Sequence, residues 1–99
     1  MAFLRRYSGL SKLRTVERPS TRQFLLLGTV GCHLCDQAEA MLRPLVAVHG
    51  LEIELVDISE HDALLRAYGV FIPVLRHLAS GSELRWPFSA EDVALLLTR

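Results

Sequence analysis

The chain holds two cysteines, Cys32 and Cys35, separated by His33 and Leu34. Residues i and i+3 of a helical turn have Cα atoms roughly 5–5.5 Å apart, inside the ~4.4–6.8 Å that a disulfide spans. Such a pair can open and close with little backbone movement, as thiol–disulfide exchange requires. The thiolate is the reacting form, and it is favoured at the start of a helix, where backbone N–H groups lack partners and the dipole is positive. Cys32, at the exposed helix end, is the expected nucleophile. Cys35, one turn in and partly shielded, is the expected resolving thiol. His33 can add positive charge beside Cys32, and Asp36 opposes it. The expected net effect is a Cys32 pKa below the ~8.5 of a free thiol.

Two other uses of such a pair compete with this one. Plain buried thiols need no reactive context. Zinc needs four ligands, and one C-x-x-C supplies two. His33, His49, His61 and His77 are scattered and read as solvated surface histidines, so no metal is expected. A loop this short restrains the unfolded chain little, so the pair is not a structural brace.

A strand must deliver the cysteines to that helix end. Residues 23–28 read as one, a short apolar run (Phe24 to Leu27) closed by Gly28. Gly28-Thr29-Val30-Gly31 is the loop. A helix follows from about Cys32 to Val48, with Leu34, Ala38, Met41, Leu42, Leu45 and Val48 as its apolar stripe. Pro44 predicts a kink or an early end, and Gly50 a left-handed cap. Leu51 to Asp57 alternates apolar and acidic residues, which suits an edge strand with one wetter face. Ser59 is the expected cap of a short helix ending at Tyr68-Gly69. Val74–Leu78 and Glu83–Trp86 read as strands joined by a Ser80-Gly81 turn. Ser89, with Asp92 three residues on, opens a last helix that buries Val93, Leu96 and Leu97.

The order is βαβαββα, an α/β sandwich, and right-handed crossover puts the first of these strands in the sheet interior. The length of 99 residues and the 51% hydrophobic content are enough for one domain with a real core. The formal net charge of zero hides an asymmetry: residues 1–23 carry six basic and one acidic side chain, the remainder five and ten. An acidic body argues against a nucleic-acid groove. No stretch is long and apolar enough to span a membrane. Residues 1–22 lack the apolar middle of a secretory signal. They read as a flexible basic leader on a cytoplasmic protein, joined to a domain at 23–99 through Pro19-Ser20-Thr21. Phe3, Leu4, Tyr7 and Leu10 fall at helical spacing, which gives an organelle transit peptide as the alternative.

Three motifs stand in order: Cys32-His33-Leu34-Cys35-Asp36; Tyr68-Gly69-Val70-x-Ile72-Pro73-Val74-Leu75; and Gly81-x-Glu83-Leu84-x-Trp86-Pro87-Phe88. With the element order, they make residues 23–98 resemble the thioredoxin superfamily, and within it the small bacterial glutaredoxin-like proteins. The resemblance implies a four-stranded mixed sheet with helices on both faces. It also implies a cis Ile72–Pro73 bond facing Cys32, with the Ile72 backbone N–H and C=O free to pair with an extended substrate. Phe71, Ile72 and Pro73 would then form a substrate rail. Trp86 and Phe88 are either an apolar docking surface beside Cys32 or a closure of the core under the last helix.

Glutathione-using relatives carry a lysine where Thr29 stands and a threonine where Phe71 stands. They have a Gly-Gly-x-Asp turn in place of Trp86-Pro87-Phe88-Ser89. The basic anchors that a dicarboxylate tripeptide needs are thus missing.

The expected function is a monomeric thiol–disulfide oxidoreductase acting on protein or low-molecular-weight disulfides. No cofactor is required, and the electrons come from glutathione or a reductase. The alternatives are an iron–sulfur cluster carrier, which with two cysteines needs a dimer or borrowed thiols, and a non-catalytic interaction module on the same fold.

Overall fold

The structure is a computed structural model that describes residues 4–7 and 23–98. Its strands are β1 (Leu4–Tyr7), β2 (Phe24–Gly28), β3 (Ile53–Asp57), β4 (Val74–His77) and β5 (Glu83–Arg85), and its helices are α1 (His33–His49), α2 (Asp62–Tyr68) and α3 (Ala90–Leu97). The sheet order is β1-β3-β2-β4-β5. β2 pairs parallel with β3 and antiparallel with β4, so the strand that leads to the cysteines is interior, and the four strands from residues 23–98 form a mixed sheet.

β2 is buried on both faces because alternate side chains feed two cores. Phe24 and Leu26 join Ala38, Leu42 and Val46 of α1 and Val93 and Leu96 of α3 in one apolar cluster. Leu25 and Leu27 join Val56, Ile58 and Val74 on the other face, where Leu64 and Tyr68 of α2 pack against them. A strand covered on both faces reads as a continuous apolar run rather than an alternation. Helices therefore lie on both sides of the sheet.

Several local expectations are corrected. On α1 the buried positions are Cys35, Ala38, Leu42 and Val46, whereas Leu34 is 46% and Val48 75% exposed. Ala38 and Leu42 of the expected stripe are buried and Met41 and Leu45 pack against the core, while its two ends, Leu34 and Val48, face outward and Cys35 and Val46 take the buried places. Pro44 does not end α1; it sits on the exposed face and the helix continues to His49. Gly50 closes it with φ 67°, and its N–H donates to the Val46 carbonyl at 2.9 Å. Asp57, not Ser59, caps the turn after β3, accepting from the Ser59 N–H at 3.0 Å and holding a single 3₁₀ turn before α2 begins at Asp62. Ser89 and Asp92 form the expected reciprocal capping box on α3. His77 is buried, not solvated: its ring lies 5.1 Å from that of Phe24 and its Nδ1 is 2.8 Å from Ser80 Oγ.

The largest difference concerns the strand at 51–57. It is not an edge. β1 pairs with it in parallel, Leu4 opposite Ile53 through Tyr7 opposite Val56, and four of its five residues are buried, Glu54 included at 1% exposure. Leu4–Tyr7 of the stretch read as a flexible leader is thus strand rather than tail or helix. The rest of that leader lies outside the described residues.

Candidate active site

Gly31, with φ 82°, turns the chain from β2 into α1, and Cys32 becomes the N-cap of the helix. A positive φ of this size is a conformation that only glycine adopts readily. Cys32 and Cys35 sit as a disulfide pair, their Cα atoms 5.1 Å apart. The Cys35 backbone N–H donates to Cys32 Sγ at 3.1 Å. A helix start leaves its first N–H groups unpartnered, and here one of them is directed at the outer sulfur. Cys32 is half-buried and Cys35 is 8% exposed, so the two sulfurs differ in access.

The neighbours fall differently from expectation. His33 is exposed, and the contact of its Nε2 is with the Gln37 amide, 3.1 Å away, one turn along the helix rather than at a sulfur. Leu27 of β2 stands opposite Val74 of β4. Pro73, one residue before Val74, therefore lies at the same end of the sheet as Gly28 and the cysteine loop. The Ile72–Pro73 and Trp86–Pro87 peptides are both cis. The Pro73 carbonyl accepts from the Trp86 N–H at 3.1 Å. The Ile72 N–H is not free: it donates to the Tyr68 carbonyl at 3.1 Å, and the Phe71 N–H donates to the same oxygen at 2.8 Å. The turn that follows α2 takes both donors before any substrate can. The Ile72 side chain packs into the cluster under α2. Phe71 remains partly exposed with the Arg85 guanidinium 3.7 Å above its ring.

Phe88 is 6% exposed and belongs to the core, so it is not a substrate-facing residue. Trp86 meets it edge to face at 5.1 Å and packs half-buried against the same cluster. An aromatic pair ahead of α3 closes the core in this fold, the second of the two readings above.

Two features escaped the sequence reading. One is the approach of Gly28 to Cys35: a methyl group at Gly28 would lie 3.0 Å from Cys35 Sγ and 3.3 Å from its Cβ. The signal is a glycine closing an apolar strand four residues before a C-x-x-C, which reads equally well as a loop glycine. Gly28→Ala is expected to destabilise the protein by about 1–3 kcal/mol through overpacking. Urea denaturation measures this, and a variant as stable as wild type would show that Cys35 moves aside freely. The other is a cleft of about 240 Å³ beside Cys35, walled in part by Asp36, Glu39, Asp57 and Glu60. Four carboxylates do not offer an anionic ligand the cations it needs. Among the described residues no group of three or more His, Cys, Asp or Glu side chains is placed to hold a metal ion.

A search of curated proteins returns no match. Solved structures similar to the chain include two bacterial proteins. The X-ray structure of target protein XcR50 from X. campestris shares 37% identity at a TM-score of 0.63, covering 76% of this chain and 95% of that one. The solution NMR structure of protein Ne2328 from Nitrosomonas europaea shares 27% identity at a TM-score of 0.67, covering 81% of this chain and 95% of that one. The model of a family described as Glutaredoxin-like domain (DUF836) matches residues 23–98, the segment that carries β2 to β5, all three helices and both cysteines. That match spans most of the sequence, and the chain belongs to the glutaredoxin-like domain family.

Proposed function

We propose that this protein is a dithiol thiol–disulfide oxidoreductase. The Cys32 thiolate attacks one sulfur of a substrate disulfide, forms a mixed disulfide and expels the other sulfur as a thiolate. The Cys35 thiolate then attacks Cys32 Sγ and expels the second substrate thiolate. Two electrons have passed to the substrate, and the Cys32–Cys35 disulfide remains. Glutathione or a reductase returns the pair to the dithiol; either is a reductant, not a bound cofactor. The substrates are protein or small-molecule disulfides, taken by the monomer in the cytoplasm, where poise favours reduction. Among the described residues no helix is long and apolar enough to cross a membrane.

The observation that carries this reading is the Cys35 N–H directed at Cys32 Sγ from the start of α1. The same donor that meets the sulfur in the disulfide is placed to meet a thiolate, and Cys35 waits one turn below it. The test is alkylation of the reduced protein as a function of pH. Cys32 is expected to react with a midpoint below about 8, against ~8.5 for a free thiol, with Cys35 slower at every pH. A Cys32 midpoint above about 8 overturns the activated-thiol reading. Visible absorption in anaerobically purified protein would instead favour a cluster carrier.

A further inference from the structure

Tyr68 stands at the last position of α2 and makes two kinds of contact at once. Its carbonyl accepts the N–H groups of Phe71 and Ile72, the two residues that precede Pro73. Its hydroxyl donates to Glu83 of β5 and accepts from Arg76 of β4 at 3.3 Å. Arg76 also donates to Glu83 at 2.8 Å. Arg76 lies three residues beyond Pro73. The segment 69–73 is therefore closed into a ring: its backbone hangs from the Tyr68 carbonyl at one end, and the Tyr68 hydroxyl is tied across to the strand that follows it at the other. Glu83 and Arg76 face each other across the β4–β5 pair, so the tie is anchored on the sheet and not on a loop.

We infer that Tyr68, held by Glu83 and Arg76, is a positioning residue that sets the affinity for polypeptide disulfides by fixing segment 69–73 before they arrive. The inference rests on the oxidoreductase reading. With the Ile72 N–H already donated to Tyr68, a bound polypeptide has fewer backbone partners on this segment, and its fit depends on where the segment is held. Ordering such a segment only on binding lowers affinity, whereas ordering it during folding does not. The tie touches neither sulfur, so its loss leaves the exchange chemistry in place. The Glu83 carboxylate, bonded to the phenol and adding negative charge beside it, pushes the Tyr68 hydroxyl above its ordinary value of 10.0. The donor therefore keeps its proton at physiological pH.

The experiment compares Tyr68→Phe, Glu83→Ala and the double variant with wild type, using insulin as the polypeptide disulfide and 2-hydroxyethyl disulfide as a small one. KM for insulin is expected to rise about 3–10-fold in either single variant. Insulin kcat, turnover of the small disulfide and the Cys32 alkylation rate should stay within about twofold of wild type. The double variant should be no worse than the stronger single one, because both substitutions break the Tyr68–Glu83 hydrogen bond. An unchanged KM in folded variants overturns the inference and leaves the tie as a structural contact. So does a parallel loss on both disulfides. Glu83→Ala removes only atoms of an exposed residue and carries the test if Tyr68→Phe melts below the assay temperature. Wild-type protein that reduces neither disulfide defeats the oxidoreductase reading itself, an outcome distinct from failure of the tie.

Discussion

Cys32→Ser will reduce disulfide turnover to the uncatalysed background, and Cys35→Ser will instead stop the reaction halfway. An oxygen at position 32 cannot exchange with a disulfide sulfur, so no covalent intermediate forms at all. With Cys35 replaced, the outer thiolate still attacks, but nothing beneath it displaces the product. About one equivalent of substrate should stay attached to Cys32, visible as a mass increase that dithiothreitol removes. The asymmetry follows from position: Cys32 caps α1 and is half-buried, while Cys35 lies within the first turn against Gly28. Adducts on Cys35 in the Cys32→Ser protein would reverse the order of attack. Equal turnover by wild type and Cys32→Ser would support a non-catalytic interaction module. In cells, the Cys35→Ser adduct would also identify the physiological partner.

Phe24→Ala will produce the largest loss of stability among single substitutions in β2, about 3–5 kcal/mol. Phe24 is fully buried, touches the cluster shared by α1 and α3, and stacks near the His77 ring. Its removal leaves a cavity between the sheet and two helices that are fixed elsewhere. Domains of this size are stable by about 5–15 kcal/mol, so the loss is a large share of the whole. The melting temperature should fall by on the order of 15–30 °C. Phe24→Leu, which keeps most of the volume, should cost under about 1.5 kcal/mol. Thermal unfolding followed by circular dichroism measures both. A fall of only a few degrees for the alanine variant would mean that the helices close over the gap.

The local framework of this fold was legible before the structure. The apolar run Phe24–Leu27, the helix that starts at the cysteines, Gly50 and the Ser89/Asp92 box all carry their signals within a few residues. What stayed hidden is non-local. Nothing in Leu4-Arg5-Arg6-Tyr7 announces a strand; its partner lies about fifty residues away, and pairing at that distance leaves no periodicity of its own. For the same reason the alternation at 51–57 suggested a wet face. With strands on both flanks and a packed layer on either side, Glu54 is buried despite its charge. The site divides in the same way. Spacing and context reveal the cysteine pair. The closeness of Gly28 to Cys35 and the Tyr68–Glu83 tie exist only once separate elements have docked, while the diversion of the Ile72 N–H to Tyr68 is a local turn that carries no residue signature of its own. Phe88 shows the converse: its motif left it open between the substrate surface and the core, and packing put it in the core.

The hairpin side of the sheet has a bearing on solubility. β5 is three residues long, exposes Glu83 and Arg85 on either side of Leu84, and runs into Trp86-Pro87, where the proline has no amide hydrogen to offer. An outer rim so short, charged and interrupted gives a second molecule almost no template for adding a strand. On this side, the apolar strands behind it are thereby protected from edge-to-edge pairing.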